Sequence, residues 1–220
     1  VSTIQFIAIA ILPLLFAITM HEVAHGWVAL RFGDTTAKML GRLSFNPIKH
    51  IDPIGTLLVP GLMMLLGGII FGWAKPVPVN FNNLHHPRRD MAWVAIAGPS
   101  ANLLMAIGWA LIMKLALLLH TGSLEWLARP LIYMGSFGIK INLILMVLNL
   151  LPIPPLDGGR VLSGLLPPRA AMYLDRVEPY GLIILILLLF TGVLGGILFP
   201  MYQGLEGLLL QAFGLPAVFT

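Results

Sequence analysis

The sequence predicts an all-α polytopic membrane protein, a bundle of about four spanning helices with a re-entrant segment at 54–74 and a small β-hairpin or sheet near 35–46. Hydrophobic residues make up 58% of the chain and charged residues only 10%, and the mean hydropathy is +0.93, far from the soluble globular range. The apolar residues gather in runs close to the roughly 20 residues that cross a bilayer. Most of the Lys and Arg residues fall in the links between those runs, as the positive-inside rule expects of cytoplasmic loops.

The first element, 4–32, runs apolar to Met20 and then becomes more polar; it lacks a basic leader and a small-residue cleavage site, so it reads as a spanning helix. Arg31, Lys38, Arg42 and Lys49 follow it, Lys75, Arg88 and Arg89 follow the next apolar run, and Arg160, Arg169 and Arg176 follow the fourth. If the links on both sides of 54–74 lie in the cytoplasm, that stretch enters the membrane and returns, with Pro60-Gly61 and Gly67-Gly68 at the turn. An ordinary span is the alternative. Helices are expected at 91–119, at 138–157 and at 180–200, with an interfacial tail at 206–220. The links are too short for further domains, so residues 1–220 read as one membrane-embedded unit.

The absence of cysteine excludes disulfides, thiolate metal sites and a cysteine nucleophile, leaving His and carboxylate as metal ligands. A net charge of +4 gives no reason to expect nucleic acid. His21-Glu22-Val23-Ala24-His25 is an HExxH element within a helix. Residues four apart share a helix face, so both imidazoles can reach one ion while Glu22 stands ready to take a proton from water. Three adjacent ionisable residues cost too much in a membrane helix to stand there without a function.

Catalytic zinc takes a third protein ligand and leaves a position open. The candidates are His50, Asp52, His85, His86, Asp90, Asp157, Asp175 and Glu178. Asp157 matches the depth of the two histidines, and the prolines at 152, 154 and 155 free the backbone to turn its carboxylate inward. Asp157 can equally open an Asp-Gly-Gly turn.

Three stretches in order, His21–His25, Ala97-Gly98-Pro99-Ser100-Ala101-Asn102 and Asn149-Leu150-Leu151-Pro152-Ile153-Pro154-Pro155-Leu156-Asp157-Gly158-Gly159-Arg160, resemble the site-2 protease family of intramembrane zinc metalloproteases. The resemblance implies one Zn²⁺ per chain on His21, His25 and Asp157, with Glu22 as catalytic base and acid. It implies substrate or oxyanion contacts from Asn149 and Asn102, and a small sheet at 35–46 beside the site. The substrates implied are transmembrane segments of membrane proteins, cut in regulated intramembrane proteolysis; the basic links place the active site toward the cytoplasm, and the compact size suggests a plasma membrane. Lys75-Pro76-Val77-Pro78-Val79-Asn80 suggests a compact branch of the family, with no chemical role evident. No stretch is long enough for a PDZ domain. A metal transporter or metal-sensing membrane protein using the same three ligands is the alternative from another class; a second alternative, still an enzyme, is an unrelated HExxH membrane protease taking Glu178 as its third ligand.

Overall fold

The computed structural model describes residues 2–58, 62, 75–120 and 123–218. Helix α1 (Thr3–Arg31) starts with a capping box, in which Ser2 and Gln5 exchange side-chain and backbone hydrogen bonds. A single turn, α2 (Thr36–Met39), follows. Helix α3 (Pro87–Leu118) opens on a proline, and Asp90 accepts the His86 N–H at 2.7 Å across its first turn. Helix α4 (Glu125–Asn149) runs back alongside it, and the proline-broken link leads into α5 (Asp157–Leu165) and α6 (Pro168–Asp175). Helix α7 (Gly181–Phe190) is separated from α8 (Val193–Phe213) by Gly192, whose φ of +76° is a left-handed break. The expected 206–220 segment therefore lies in α8 as far as Phe213.

Among the described residues, four helices are long and apolar enough to cross a membrane: Ile4–Arg31, Pro87–Leu118, Glu125–Asn149 and Val193–Phe213. Helices α3 and α4 form the central pair. Trp109 and Met113 of α3 lie against Gly138 and Gly135 of α4, where any Cβ would stand less than 3 Å from them. Small residues at such a seam let the backbones approach, which is how membrane helices gain packing energy without a hydrophobic drive. Helix α8 leans on this core through Leu198, Tyr202 and Leu205, with Lys140 and Glu206 paired at 3.8 Å. Large apolar side chains such as Ile7 and Ile11 on α1, Leu104 and Leu115 on α3, and Ile183 and Leu187 on α7 face outward. That is the surface a bilayer requires.

One expectation is overturned. No strand occurs among the described residues, and the hairpin or sheet expected at 35–46 is instead α2 followed by an unpaired stretch and a 3₁₀ turn, Pro47–His50. Asp34 starts α2 by accepting both the backbone N–H and the hydroxyl of Thr36. The segment that could have served as a partner, 75–80, has prolines at 76 and 78, which cannot donate to a ladder. Its carbonyls at Lys75 and Pro76 are taken by the Arg42 guanidinium instead. The re-entrant expectation for 54–74 falls, beyond a helical turn at Pro53–Leu58 and residue 62, outside the described residues.

Candidate metal centre

The HExxH spacing places His21 and His25 one above the other on the face of α1 that meets α3. Asp157 arrives from the first turn of α5. Glycines allow that turn: a Cβ on Gly158 would lie 2.3 Å from the Leu150 and Leu151 carbonyl oxygens, and one on Gly159 2.5 Å from the Pro154 nitrogen. The Asp-Gly-Gly sequence thus lets the chain fold tightly over its own proline link and aim the carboxylate at α1.

The three groups converge. His21 Nε2 and His25 Nε2 are 3.1 Å apart, and Asp157 Oδ2 lies 3.2 and 3.3 Å from them. All three residues are buried. Among the described residues they are the one cluster of His, Asp or Glu gathered so closely.

What lies behind each ring fixes its polarity. His25 Nδ1 faces the Val94 carbonyl at 2.7 Å, and a carbonyl can only accept, so this nitrogen carries the proton. His21 Nδ1 faces Asn102 Oδ1 at 2.7 Å. The orientation of the Asn102 amide follows from its other end, which donates to the Ala17 carbonyl and to Asn142 Oδ1. Asn142 in turn donates to the Gly138 carbonyl. Both Nδ1 atoms are therefore donors pointing out of the site, and both Nε2 lone pairs point in.

Two lone pairs and a carboxylate oxygen within 3.3 Å of one another repel unless a cation lies between them. Asp157 Oδ2 is buried without a hydrogen-bond partner. Ligands about 2.0–2.1 Å from a common ion at tetrahedral angles stand roughly 3.3 Å apart. The donor set and its spacing fit a divalent metal.

Helix α3 closes the site from the side. A Cβ on Gly98 would lie 2.4 Å from His25 Nε2 and 2.6 Å from His21 Cε1, so only glycine lets α3 bring Asn102 and Val94 into contact with both rings. Glu22 lines a cavity of about 380 Å³ together with His21, His25, Asp157, Asn149, Phe81 and Arg160. One carboxylate oxygen of Glu22, Oε2, accepts the Val77 N–H at 2.8 Å. The 75–80 stretch thus acquires a role: it forms the cavity wall that orients Glu22. Asp34 anchors the far end of that wall, accepting from Thr36, from the Asn80 N–H at 2.8 Å and from Asn83 at 3.0 Å. Burial would raise the Asp34 carboxyl, but these hydrogen bonds outweigh it and hold it below the usual range.

All six residues singled out in the sequence lie at or beside this site, in different positions. Asn149 lines the cavity, its amide donating to the Leu145 carbonyl. Asn102 is fully buried behind His21. The other ligand candidates lie elsewhere: Asp90 caps α3, Asp175 accepts from Ser163, and Glu178 pairs with Arg160. Gly98, Asn142 and Val77 were not foreseen as parts of the site; Gly98 sat inside a quoted motif, and Val77 in the stretch without a role.

A buried HExxH cluster completed by a carboxylate from a second helix, inside a multi-pass apolar bundle, is the build of a membrane-embedded metalloprotease. The chain belongs to peptidase family M50, the site-2 protease family. The description "Peptidase family M50" matches residues 124–192. The chain is 42% identical over 207 residues to "Putative zinc metalloprotease YwhC" of Bacillus subtilis, covering 92% of this chain and 90% of that protein. It is 31% identical over 209 residues to "Putative zinc metalloprotease Rip2" of Mycolicibacterium smegmatis, covering 91% of this chain and 76% of that protein. No solved structure matches the chain.

Proposed function

We propose that this chain hydrolyses peptide bonds in transmembrane segments of membrane-protein substrates, with one zinc ion held by His21, His25 and Asp157 and with Glu22 of the HExxH element as general base. The observation that carries this reading is the inward convergence of two imidazole lone pairs and a carboxylate oxygen beside a glutamate whose other side is pinned by a backbone N–H.

Zinc, when bound, supplies Lewis acidity toward a carbonyl and toward water. The chain's own residues do the rest. The Val77 N–H holds Glu22 Oε2, leaving Oε1 to take the proton from the attacking water and to deliver it to the amine nitrogen of the leaving segment. The Asn149 amide lies in the cavity wall, where it can donate to a substrate carbonyl as charge develops on it. The substrate meets the site as an unwound segment, because a helix keeps its carbonyls hydrogen-bonded and hidden. The basic links favour the plasma membrane with the site toward the cytoplasm. The transporter reading gains nothing, since among the described residues no second ligand cluster extends the three into a path.

The test is zinc stoichiometry on purified protein together with cleavage of a reporter containing a transmembrane segment. The parent is expected to hold one zinc and cleave, Asp157→Ala to lose both, and Glu22→Gln to keep zinc and lose cleavage. Full zinc occupancy in Asp157→Ala would remove that ligand, and cleavage by Glu22→Gln would remove the base.

A further inference from the structure

Among the described residues, Arg160 is the one Lys or Arg in the wall of the cavity in front of the metal cluster. Arg160 lies on α5 three residues after Asp157, so both side chains lie on the same helix face. Much of the remaining wall is apolar, formed by the 76–79 stretch and by Phe81.

The Arg160 guanidinium is held in place but lightly occupied. It lies over the Phe81 ring, 5.3 Å from its centroid. One of its nitrogens, Nη2, donates to Glu178 Oε1 at 3.3 Å, its one hydrogen bond among the described residues. A guanidinium has five N–H donors in a fork suited to carboxylate. The pair is accessible, with side chains 38% and 45% exposed. An ion pair this exposed contributes little and exchanges readily for an equivalent carboxylate. Glu178 sits on a separate 3₁₀ turn, Glu178–Tyr180, ahead of α7, so it can yield without disturbing the metal cluster.

We infer that Arg160 is a specificity-determining residue that selects substrates with a carboxylate near the scissile bond, and that Glu178 holds its place until substrate arrives. The inference deepens the protease reading and rests on it. The carboxylate can be an Asp or Glu side chain or the C-terminus of a substrate already shortened; both present the same group to the fork.

The experiment uses the zinc-loaded full chain and a reporter series in which a single Asp is walked across the positions flanking the cleaved bond, with Asn at the same positions as the neutral match. A second pair ends close to the bond in either a free carboxylate or an amide, which separates the two sources. The parent is expected to prefer the acidic member at one or two adjacent positions, or at the free terminus, by about fivefold in kcat/KM, carried by KM. Arg160→Gln should lose the preference and Arg160→Lys should keep part of it. Glu178→Gln should lower KM for the acidic reporter, because it removes the internal competitor. A pair serving only to hold α5 in place predicts the opposite, with Arg160→Gln and Glu178→Gln both impairing acidic and neutral reporters alike. That result, or equal cleavage of Asp and Asn reporters by the parent, overturns the inference and leaves the protease reading standing. Binding of the same peptides to Glu22→Gln protein, read by fluorescence anisotropy, separates the remaining case. An acidic preference in binding that Arg160→Gln abolishes, with no cleavage of any reporter by the parent, sinks the protease reading and with it selection at a scissile bond, leaving Arg160 as a carboxylate-binding residue alone.

Discussion

Replacing Gly98 with alanine adds one methyl group at the point where α3 faces His21 and His25. That Cβ would stand 2.4 Å from His25 Nε2 and 2.6 Å from both His21 Cε1 and His25 Cε1. Ordinary contact begins near 3.4 Å, so helix or rings must give by about 1 Å, several times the roughly 0.2 Å tolerance of a metal–ligand distance. The rings cannot retreat alone, because their Nδ1 atoms are tied to Asn102 and Val94 on the same helix. If α3 retreats instead, both supports leave together. Loss of one such support costs about 10–100-fold in metal affinity, so Gly98→Ala should weaken zinc binding by about 100-fold or more, some 2.7 kcal/mol. Overpacking adds roughly 1–3 kcal/mol of destabilisation. Competition against a chromogenic chelator measures the affinity, and helicity by circular dichroism shows that the chain is folded. Gly108, on the same helix, has open space around its Cβ position, so Gly108→Ala should bind zinc like the parent. Parent-like zinc affinity in folded Gly98→Ala would refute the close approach of α3 and the geometry built on it.

Other outcomes follow from the supports around the site. Val77→Pro removes the N–H that holds Glu22 in a stretch already shaped for proline; kcat should fall about 10–100-fold with zinc retained, whereas Val77→Ala, which keeps the N–H, should show the smaller change. Asn102→Leu leaves His21 Nδ1 without its acceptor and should lower zinc affinity by about 10–100-fold; Asn142→Leu should do less, since the Ala17 carbonyl still orients the Asn102 amide, and calorimetric zinc titration ranks the two. Asp34→Ala strips the acceptor from Thr36, Asn80 and Asn83 and should cost about 2–3 kcal/mol, read as faster proteolysis of the 76–84 stretch. Because the folded carboxyl of Asp34 lies below its unfolded value, this support is present above about pH 4. It is lost as pH falls through the folded value, so parent and variant should converge at the acid end of a proteolysis series.

The chain by itself determined the medium and the class of chemistry, while the expected helices at 138–157 and 180–200 are found as Glu125–Asn149 and as α7 and α8 divided at Gly192. A backbone in lipid must satisfy its own hydrogen bonds, so long charge-free runs admit one conformation, and the helix period makes His21-Glu22-Val23-Ala24-His25 a two-ligand face without reference to anything else. The prolines before Asp157 likewise mark a local break that any structure has to respect. The hairpin expected at 35–46 failed because short strand signals depend on a partner. Among the described residues the neighbouring stretch 75–80 carries Pro76 and Pro78, and Asp34 holds Thr36 in a helical turn. Only the tertiary structure decided how the ligands are held. The contact between His21 and Asn102 spans 81 residues, that between Glu22 and Val77 spans 55, and the approach of Gly98 to both rings depends on how two helices cross. No local pattern encodes such distances, because they are set by the packing of α1, α3 and α4 as a whole, and a glycine needed for clearance reads in sequence like any other glycine.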